Sequence, residues 1–444
     1  MTPTDAPAHL PSLVSSLVAP LEEELVALRR DLHRHPELGR GEVRTTRVVR
    51  ERLEAAGLHP RVLPGGTGLV CDVGTGEPAL ALRADLDALP LDDLKQVPYR
   101  SVVEGVCHAC GHDVHTAVVV GAGLALAELD RRGLLGRRVR LLFQPAEELT
   151  PGGALDVLAS GALDGVERIL ALHCDPRTPV GTVGVRAGAI TAAADTVTVR
   201  LRGPGGHTAR PHLTADLVHA LATVATGLPT ALSRLVDPRA GLSVVWGRIA
   251  SGRAPNAIPE TGELVGTLRC LEVEPWQRAP DMVRDIVRGL AEAYGVRAEV
   301  DYQRGVPPVI NDAASAGLLG AAAEAVEGPQ TVVAAEQSLG GEDFAWYLDA
   351  VPGALARLGV GSPGAAVVRD LHQGTFDVDE RALAVGVRVL AAAALVPVPE
   401  VLPVATAGAW GGGSGRAGAP RATGGVESAA GAAAAQAAAV AAIR

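Results

Sequence analysis

Short apolar runs that alternate with helical stretches are the feature that most restricts how this chain can fold. Four runs of strand length, 69–73, 79–82, 139–143 and 169–172, are bounded by turn residues. Segments with apolar residues at helical spacing, such as 115–129, lie between several of them. Because mostly apolar strands are typical of sheets covered on both faces, the alternation predicts an α/β sheet with helices on its faces.

A different pattern interrupts this alternation between residues 191 and 305. Strand and helix periodicities follow there in the order strand, helix, strand, strand, helix, strand, which is the split βαβ arrangement of a small α+β domain. The chain of 444 residues is long enough for more than one domain. We therefore predict a larger α/β domain in two parts, 1–190 and 306–402, an inserted α+β domain, 191–305, and a disordered Gly- and Ala-rich tail, 403–444.

The composition restricts the partners of the chain. Asp and Glu number 50 against 40 Lys and Arg, which gives a formal net charge of -10, and aromatic residues make up 2%. Nucleic-acid binding requires basic surfaces and stacking aromatics, so we expect no nucleic-acid partner. No apolar run has the length of a membrane span, and the first 20 residues lack a secretory signal. We therefore expect a cytoplasmic protein without a membrane partner, whose five cysteines are reduced.

The densest group of polar side chains is the segment CHACGHDVH at 107–115. Half of a structural zinc finger and a redox CxxC motif are two interpretations of it. A closed zinc site usually needs a second pair of ligands at similar spacing, and the next cysteine, Cys174, is distant. A redox motif leaves the flanking histidines unexplained. A third interpretation is a catalytic metal site that takes its other ligands from remote segments.

Polar side chains follow three of the predicted strands, which supports the third interpretation. Glu147 and Glu148 come shortly after 139–143, His173 follows 169–172, and Asp85 and Asp87 follow 79–82. Each of these residues alone has an ordinary explanation, such as a helix cap or a hydrogen-bonded turn. Ligands of open α/β sheets bind at the carboxyl ends of the strands, so the repetition predicts that these segments converge on one crevice.

The adjacent glutamates Glu147 and Glu148 call for separate roles. They could be two solvated side chains at a helix start. If one carboxylate ligates a cation, however, the other can reach the water that the cation activates. That is the arrangement of metal-assisted hydrolysis, in which the free carboxylate takes a proton and passes it to the leaving group.

Ten segments in a fixed order form a distinctive pattern along the chain. They are DLHRHPELG (31–39), ALRADLDALP (81–90), HACGHDVHTA (108–117), FQPAEE (143–148), ALHCDP (171–176), GPGGHTARPH (203–212), APNAIPE (254–260), GTLR (266–269), GGEDFAWYL (340–348) and LHQGTFDVDE (371–380). Together they resemble the metal-dependent amidohydrolases of the aminoacylase, carboxypeptidase and hippurate hydrolase group (peptidase M20), specifically the N-acyl-amino-acid amidohydrolase branch. Agreement over so much of the chain is too extensive for chance, and the tail after 403 lies outside it.

The resemblance implies a zinc-exopeptidase-like mixed sheet flanked by helices, with an inserted ferredoxin-like lid domain. It implies two divalent metal ions, zinc or manganese, and Cys110 shared between them. Glu147 is the implied general base, and later the acid. The implied metal ligands are Cys110, His112, Glu148, His173 and His372.

The resemblance also assigns substrate-binding and partner residues. The lid is implied to form a homodimer, and His207 is similar to a lid histidine that polarises the scissile carbonyl, often from the partner subunit. Asn256 and Arg269 resemble lid residues that hold polar groups of the substrate, and Gly341 lies in a loop similar to one that lines the pocket. The implied substrate is a small N-acyl amino acid or a related amide.

Two positions depart from the pattern of the wider family. Asp85-Leu86-Asp87 stands where much of the family has His-x-Asp, so His112 is expected to replace the missing ligand and Asp87 to orient other groups. Cys107 stands where the branch commonly has Met, and we do not count it as a ligand.

Three alternatives to this amidohydrolase stay open. One is a carboxypeptidase or dipeptidase acting on small peptides. Another is an inactive relative that binds metal and captures acyl amino acids, although Glu147 would then have no use as a proton carrier. The last is nucleophilic catalysis by Cys110 with a nearby histidine, which would not need a metal.

Overall fold

The computed structural model describes residues 9–77, 79–365 and 367–399. The predicted disordered tail, 403–444, lies outside these residues. No helix in the described part of the chain is both long and apolar enough to cross a membrane.

The helical stretch predicted over 115–129 lies within a longer helix, α4. The central helix, α4, is buried along nearly its whole length because it contacts other helices and the larger sheet at once. In chain order the helices are α1 Leu10–Val18, α2 Glu22–Arg34, α3 Val43–Ala55, α4 His112–Arg131, α5 Ala154–Ala159, α6 Leu217–Leu235, α7 Val273–Glu292, α8 Ala313–Glu327, α9 Ala345–Leu348 and α10 Arg381–Ala393.

The strands divide between a larger sheet, a smaller sheet and two short pairs. In chain order they are β1 Arg61–Val62, β2 Leu69–Val73, β3 Ala79–Asp85, β4 Val139–Gln144, β5 Val166–Pro179, β6 Val183–Val185, β7 Gly188–Ala189, β8 Ala193–Arg202, β9 Gly206–His207, β10 Ser243–Ser251, β11 Ala257–Ile258, β12 Thr261–Cys270, β13 Arg297–Val306, β14 Ile310–Asn311, β15 Val332–Ala334 and β16 Gly353–Gly361.

The larger sheet has the order β1-β2-β4-β3-β5-β16-β6-β15. Its central strands β4, β3, β5 and β16 are parallel. Strand β2 pairs antiparallel with β1 and β4, whereas β6 pairs antiparallel with β16 and parallel with β15. Every residue of β3 and β4 is buried, as expected for strands covered on both faces. The predicted fold class, a mixed sheet flanked by helices, is confirmed.

The smaller sheet has the order β10-β12-β8-β13 and is antiparallel. Together with α6 and α7 it follows the predicted order of strands and helices. Buried and less buried residues alternate along β12, because α6 and α7 cover one face of this sheet. Its apolar residues form a core of their own, which includes Val197, Leu264 and Trp276. The function of this region as a lid, and the predicted domain boundaries, stay predictions.

One detail of the sequence prediction is wrong. His173 was expected just past the end of a strand, but β5 continues beyond it to Pro179. The strand continues because β16 pairs with it in parallel over this stretch, with Arg357 opposite His173 and Gly361 opposite Pro179. Asp85 likewise is the last residue of β3, not a residue after it.

Candidate metal centre

The predicted ligands gather at the edge of the larger sheet where β3 and β4 end. Cys110, Glu148, His173 and His372 line one cavity of about 440 Å³, together with Glu147. His112 lies beside them and is completely buried. Four separate segments of the chain therefore meet at this edge, as expected for a ligand site of an α/β sheet.

The five predicted ligands form two overlapping groups. The donor atoms of Cys110, His112 and His173 lie within 4.8 Å of one another, and so do those of Cys110, Glu148 and His372. Cys110 Sγ is 3.6 Å from His173 Nε2, and His372 Nε2 is 3.2 Å from Glu148 Oε1. Cys110 is the residue that the two groups share.

A left-handed glycine places Cys110 and His112 next to each other. Gly111 has a φ of 86° and precedes the first residue of α4, His112. A Cβ atom at Gly111 would lie 2.8 Å from the Sγ of Cys174, so another side chain would be both strained and crowded. The glycine lets the chain turn from the cysteine directly into the helix.

Hydrogen bonds to the scaffold orient both buried histidines. The Nδ1 of His173 lies 2.8 Å from the carbonyl oxygen of Cys174, and that of His112 lies 3.3 Å from Asp87 Oδ1. When each Nδ1 donates its proton in these contacts, the Nε2 atoms keep their lone pairs. This is the usual arrangement of metal-ligating histidines.

Asp87 also fixes the loop that carries the two glutamates. Its carboxylate accepts hydrogen bonds from the backbone N–H of Glu147 at 3.0 Å and of Glu148 at 2.9 Å. One carboxylate therefore sets the position of His112 and of both glutamates. Its position is consistent with the orienting role expected for it from the sequence.

Glu42, which the sequence analysis did not single out, supports the same loop. It accepts a hydrogen bond of 2.7 Å from the backbone N–H of Ala146, whose φ is 55°. Burial raises the pKa of Glu42 to about 7. A lone glutamate far back in the sequence carries no local signal of this contact.

Burial is the main cause of the shifted pKa values of the ionisable groups in the cavity. Burial raises the pKa of Glu147 well above its ordinary range, and the charges of Glu342 and Glu148 add to this. Burial raises the pKa of the Cys110 thiol and lowers that of His173. A neutral imidazole such as His173 is the form that binds metals.

The pKa of His112 is shifted in the opposite direction from that of His173. Burial by itself lowers its pKa, but the neighbouring carboxylates of Asp85 and Asp87 raise it to about 10. Acidic groups therefore surround this imidazole, and the site favours a positive charge at its position.

The donor set fits divalent cations. His112 Nε2 is buried and has no hydrogen-bond partner among the described residues, and carboxylate oxygens of Glu147 and Glu148 lie 3.8 Å and 3.9 Å from it. Buried polar atoms normally have partners, so an unpartnered imidazole nitrogen beside two carboxylates needs an explanation. A thiolate with imidazoles suits zinc, and the carboxylate and imidazole group suits zinc or manganese.

The remaining histidines of the 107–115 segment have other surroundings. The Nδ1 of His115 is 2.6 Å from Asp85 Oδ1, and its Nε2 accepts a hydrogen bond from the backbone N–H of Cys174. His108 is buried without a hydrogen-bond partner in the described chain, and burial lowers its pKa to about 4. The density of polar residues in this segment thus reflects the local scaffold as well as the candidate ligands.

A buried arginine, Arg83, holds the loop of Glu342 and Asp343, which also lines the cavity. Its guanidinium lies 3.0 Å from Glu342, 2.9 Å from Asp343 and 2.7 Å from Asp85. Nothing in the sequence singles out Arg83, because its acidic partners at 342 and 343 lie more than half the chain away.

The predicted substrate-binding residues divide into two pairs. Arg269 and Gly341 line the same cavity as the candidate ligands. His207 and Asn256 do not; both are exposed, and they lie near each other where β9 pairs with β11. The backbone N–H of Thr208 donates a hydrogen bond to the carbonyl oxygen of Asn256 at 3.4 Å. The short pair β9 and β11 was not predicted from the sequence.

Comparisons with known proteins agree with this architecture. The model of the family described as peptidase family M20/M25/M40 matches residues 81–396. The chain is 38% identical to N-acetylcysteine deacetylase of Bacillus subtilis over 382 residues, which is 85% of this chain and 97% of that protein. The structure of the Bacillus subtilis YXEP protein, described as a dinuclear metal-binding peptidase of the M20 family, is similar with a TM-score of 0.74 and 34% identity, covering 85% of this chain and 98% of that one.

A longer relative is also similar. The Rhodococcus jostii protein named "Putative glutamate--cysteine ligase 2-3" is 53% identical over 373 residues, which is 84% of this chain and 46% of that protein. The chain therefore spans about half the length of this relative.

Proposed function

The chain belongs to peptidase family M20/M25/M40, and on that premise we propose that it hydrolyses the amide bond of small N-acyl amino acids. The observation that carries this proposal is the pair of overlapping donor groups that share Cys110, with the carboxylate of Glu147 beside them. The similarity to a deacetylase of an N-acylated amino acid supports the substrate class.

The five donors would hold two divalent cations, zinc or manganese. Cys110, His112 and His173 form one group, and Cys110, Glu148 and His372 form the other. When bound, such cations make water more acidic and polarise a carbonyl oxygen. Binding also favours the thiolate of Cys110, against the effect of burial alone.

Glu147 would act as the proton carrier. Its carboxylate lies 3.8 Å from His112 Nε2, next to the donor groups. As base it accepts a proton from the water whose oxygen adds to the carbonyl carbon of the amide. It then delivers that proton to the amide nitrogen as the C–N bond breaks, so the products are a carboxylate and an amino acid.

The smaller sheet would supply the groups that bind substrate. Arg269 lines the cavity and suits the α-carboxylate, since a guanidinium binds a carboxylate through two hydrogen bonds. His207, supported by Asn256, would polarise the scissile carbonyl. Because both are exposed outside the cavity, we propose that they act from the partner subunit of a homodimer.

The test of this function combines metal removal with substitution of Glu147. Hydrolysis of N-acetyl amino acids should disappear on chelation and return with zinc or manganese. Glu147→Gln should keep its metal and lose turnover by at least about a hundredfold, because an amide cannot take the proton. Exposed Glu104→Gln is the control and should behave as wild type.

The alternatives give different results in the same experiment. A thiol enzyme using Cys110 would keep working after chelation. An inactive binding protein would bind acyl amino acids and hydrolyse none of them. A peptidase would prefer dipeptides to acetyl and longer acyl amino acids.

A further inference from the structure

The cavity beside the candidate metal centre is lined by two arginines that have no acidic partner. Arg269 comes from β12 and Arg357 from β16. Within the described residues, neither guanidinium forms an ion pair or a side-chain hydrogen bond. Arg83 contrasts with them because its guanidinium contacts three carboxylates.

Arg357 lies close to the donor groups. It stands opposite His173 in the parallel pair of β5 and β16, and residues paired in this way point to the same face of a sheet. Both Arg357 and His173 line the cavity that contains the candidate ligands. The guanidinium of Arg357 is therefore next to the place where an amide substrate would be held.

The two carboxylates whose charges act most on Arg357, Glu342 and Asp175, are engaged elsewhere. Glu342 is 3.0 Å from the guanidinium of Arg83. Asp175 accepts hydrogen bonds from the backbone N–H of Arg177 and from the hydroxyl of Thr178. Neither carboxylate approaches Arg357 closely enough to form an ion pair.

An unpaired guanidinium in such a position is unfavourable without an anion. Both side chains are partly buried in the cavity, where a guanidinium loses part of its hydration. Arginine nevertheless stays charged in proteins. Burying it under an apolar acyl group would add to the cost, whereas a carboxylate would offset it.

One α-carboxylate occupies one guanidinium fork, so two unpaired arginines exceed what a simple N-acyl amino acid requires. We propose that Arg357 forms a second anion-binding subsite beside His173, and that the preferred substrates are N-acyl amino acids with a second carboxylate. This inference rests on the proposed function, in which Arg269 binds the α-carboxylate. The second carboxylate belongs either to the acyl group or to the side chain of the amino acid.

Two pairs of substrates matched in size test the proposal and separate the two sources. N-succinyl-L-alanine is compared with N-butyryl-L-alanine, and N-acetyl-L-glutamate with N-acetyl-L-glutamine. In one of the pairs, the member with the extra carboxylate should have a kcat/KM at least about tenfold higher, mainly through a lower KM, as expected for one charge-assisted contact. Equal values within both pairs would overturn the proposal.

Substitution of Arg357 assigns the preference to this residue. Arg357→Gln should abolish the preference for the diacid while leaving hydrolysis of the monoacid within about threefold. Arg357→Lys should keep part of it, because the charge remains while the fork is lost. Exposed Arg278→Gln on α7 is the control and should keep the full preference. A preference unchanged in Arg357→Gln, or an equal loss for both members of a pair, would contradict the assignment.

Direct binding separates this inference from the proposed function. Glutarate and butyrate are titrated into the metal-loaded protein, with circular dichroism as a check on folding of each variant. Glutarate should bind at least about tenfold more tightly than butyrate, and Arg357→Gln should remove the difference. That result supports the subsite even if no amide is hydrolysed. Equal binding of the two acids to wild type would contradict it even if amides are hydrolysed.

Discussion

The candidate metal ligands and the predicted residues of the smaller sheet differ in how firmly the chain holds them. His112 and His173 are buried and hydrogen-bonded to their surroundings through Nδ1, and the loop of Glu148 is fixed by Asp87. His207 and Asn256 are exposed on a pair of two-residue strands. These three ligands are thus preorganised, whereas the groups of β9 and β11 depend on a further contribution, which we propose is the partner subunit.

The largest effect is expected from removing Cys110, the donor that both groups of candidate ligands share. Cys110→Ala should lose bound metal and reduce hydrolysis to the background, because both donor groups contain this residue. The matched control is Cys107→Ala, a buried cysteine of the same segment that is not among the candidate ligands. Elemental analysis of both variants checks the prediction. Equal metal content in Cys110→Ala and wild type would remove this cysteine from the ligand set.

A smaller effect is expected from a substitution in the short strand pair β9 and β11. His207→Ala should keep its metal and lose turnover by about a hundredfold, as for removal of one group that stabilises a developing oxyanion. Mixed with Glu147→Gln protein under conditions of subunit exchange, it should regain activity, since a mixed dimer contains one site with both residues intact. A mixture that stays inactive, despite verified exchange, would argue that His207 does not act across subunits.

The smallest effect concerns the orienting carboxylate. Asp87→Asn should lower turnover by about tenfold while the protein stays folded, because the amide accepts the backbone N–H groups of Glu147 and Glu148 less well. Metal affinity, measured by competition with a chelator, should fall in parallel. Unchanged affinity and turnover would show that the position of His112 does not depend on Asp87.

Much of the fold could be predicted from local patterns. The runs that became β2, β3 and β4 are bounded and apolar, and the strand and helix order of the smaller sheet follows the predicted order. The end of β5 could not be predicted, because its extension past His173 depends on pairing with β16 from a distant segment.

In the candidate site, too, features within short motifs could be predicted, whereas contacts between distant residues could not. Its proposed ligands lie in short motifs, which is why a family resemblance could name them. The supporting contacts do not: Glu42 lies 104 residues from Ala146, and Arg83 lies 259 residues from Glu342. Arg357 gave no signal in sequence, because an arginine in an apolar strand shows its lack of an acidic partner only after folding.

Anomalous diffraction from crystals of the metal-loaded protein tests the central claim most directly. We predict two peaks about 3.5–4 Å apart, both in contact with Cys110 Sγ. One should be bound by His112 and His173, and the other by Glu148 and His372. The absence of a peak at Cys110, or metal bound only by other residues, would contradict the account.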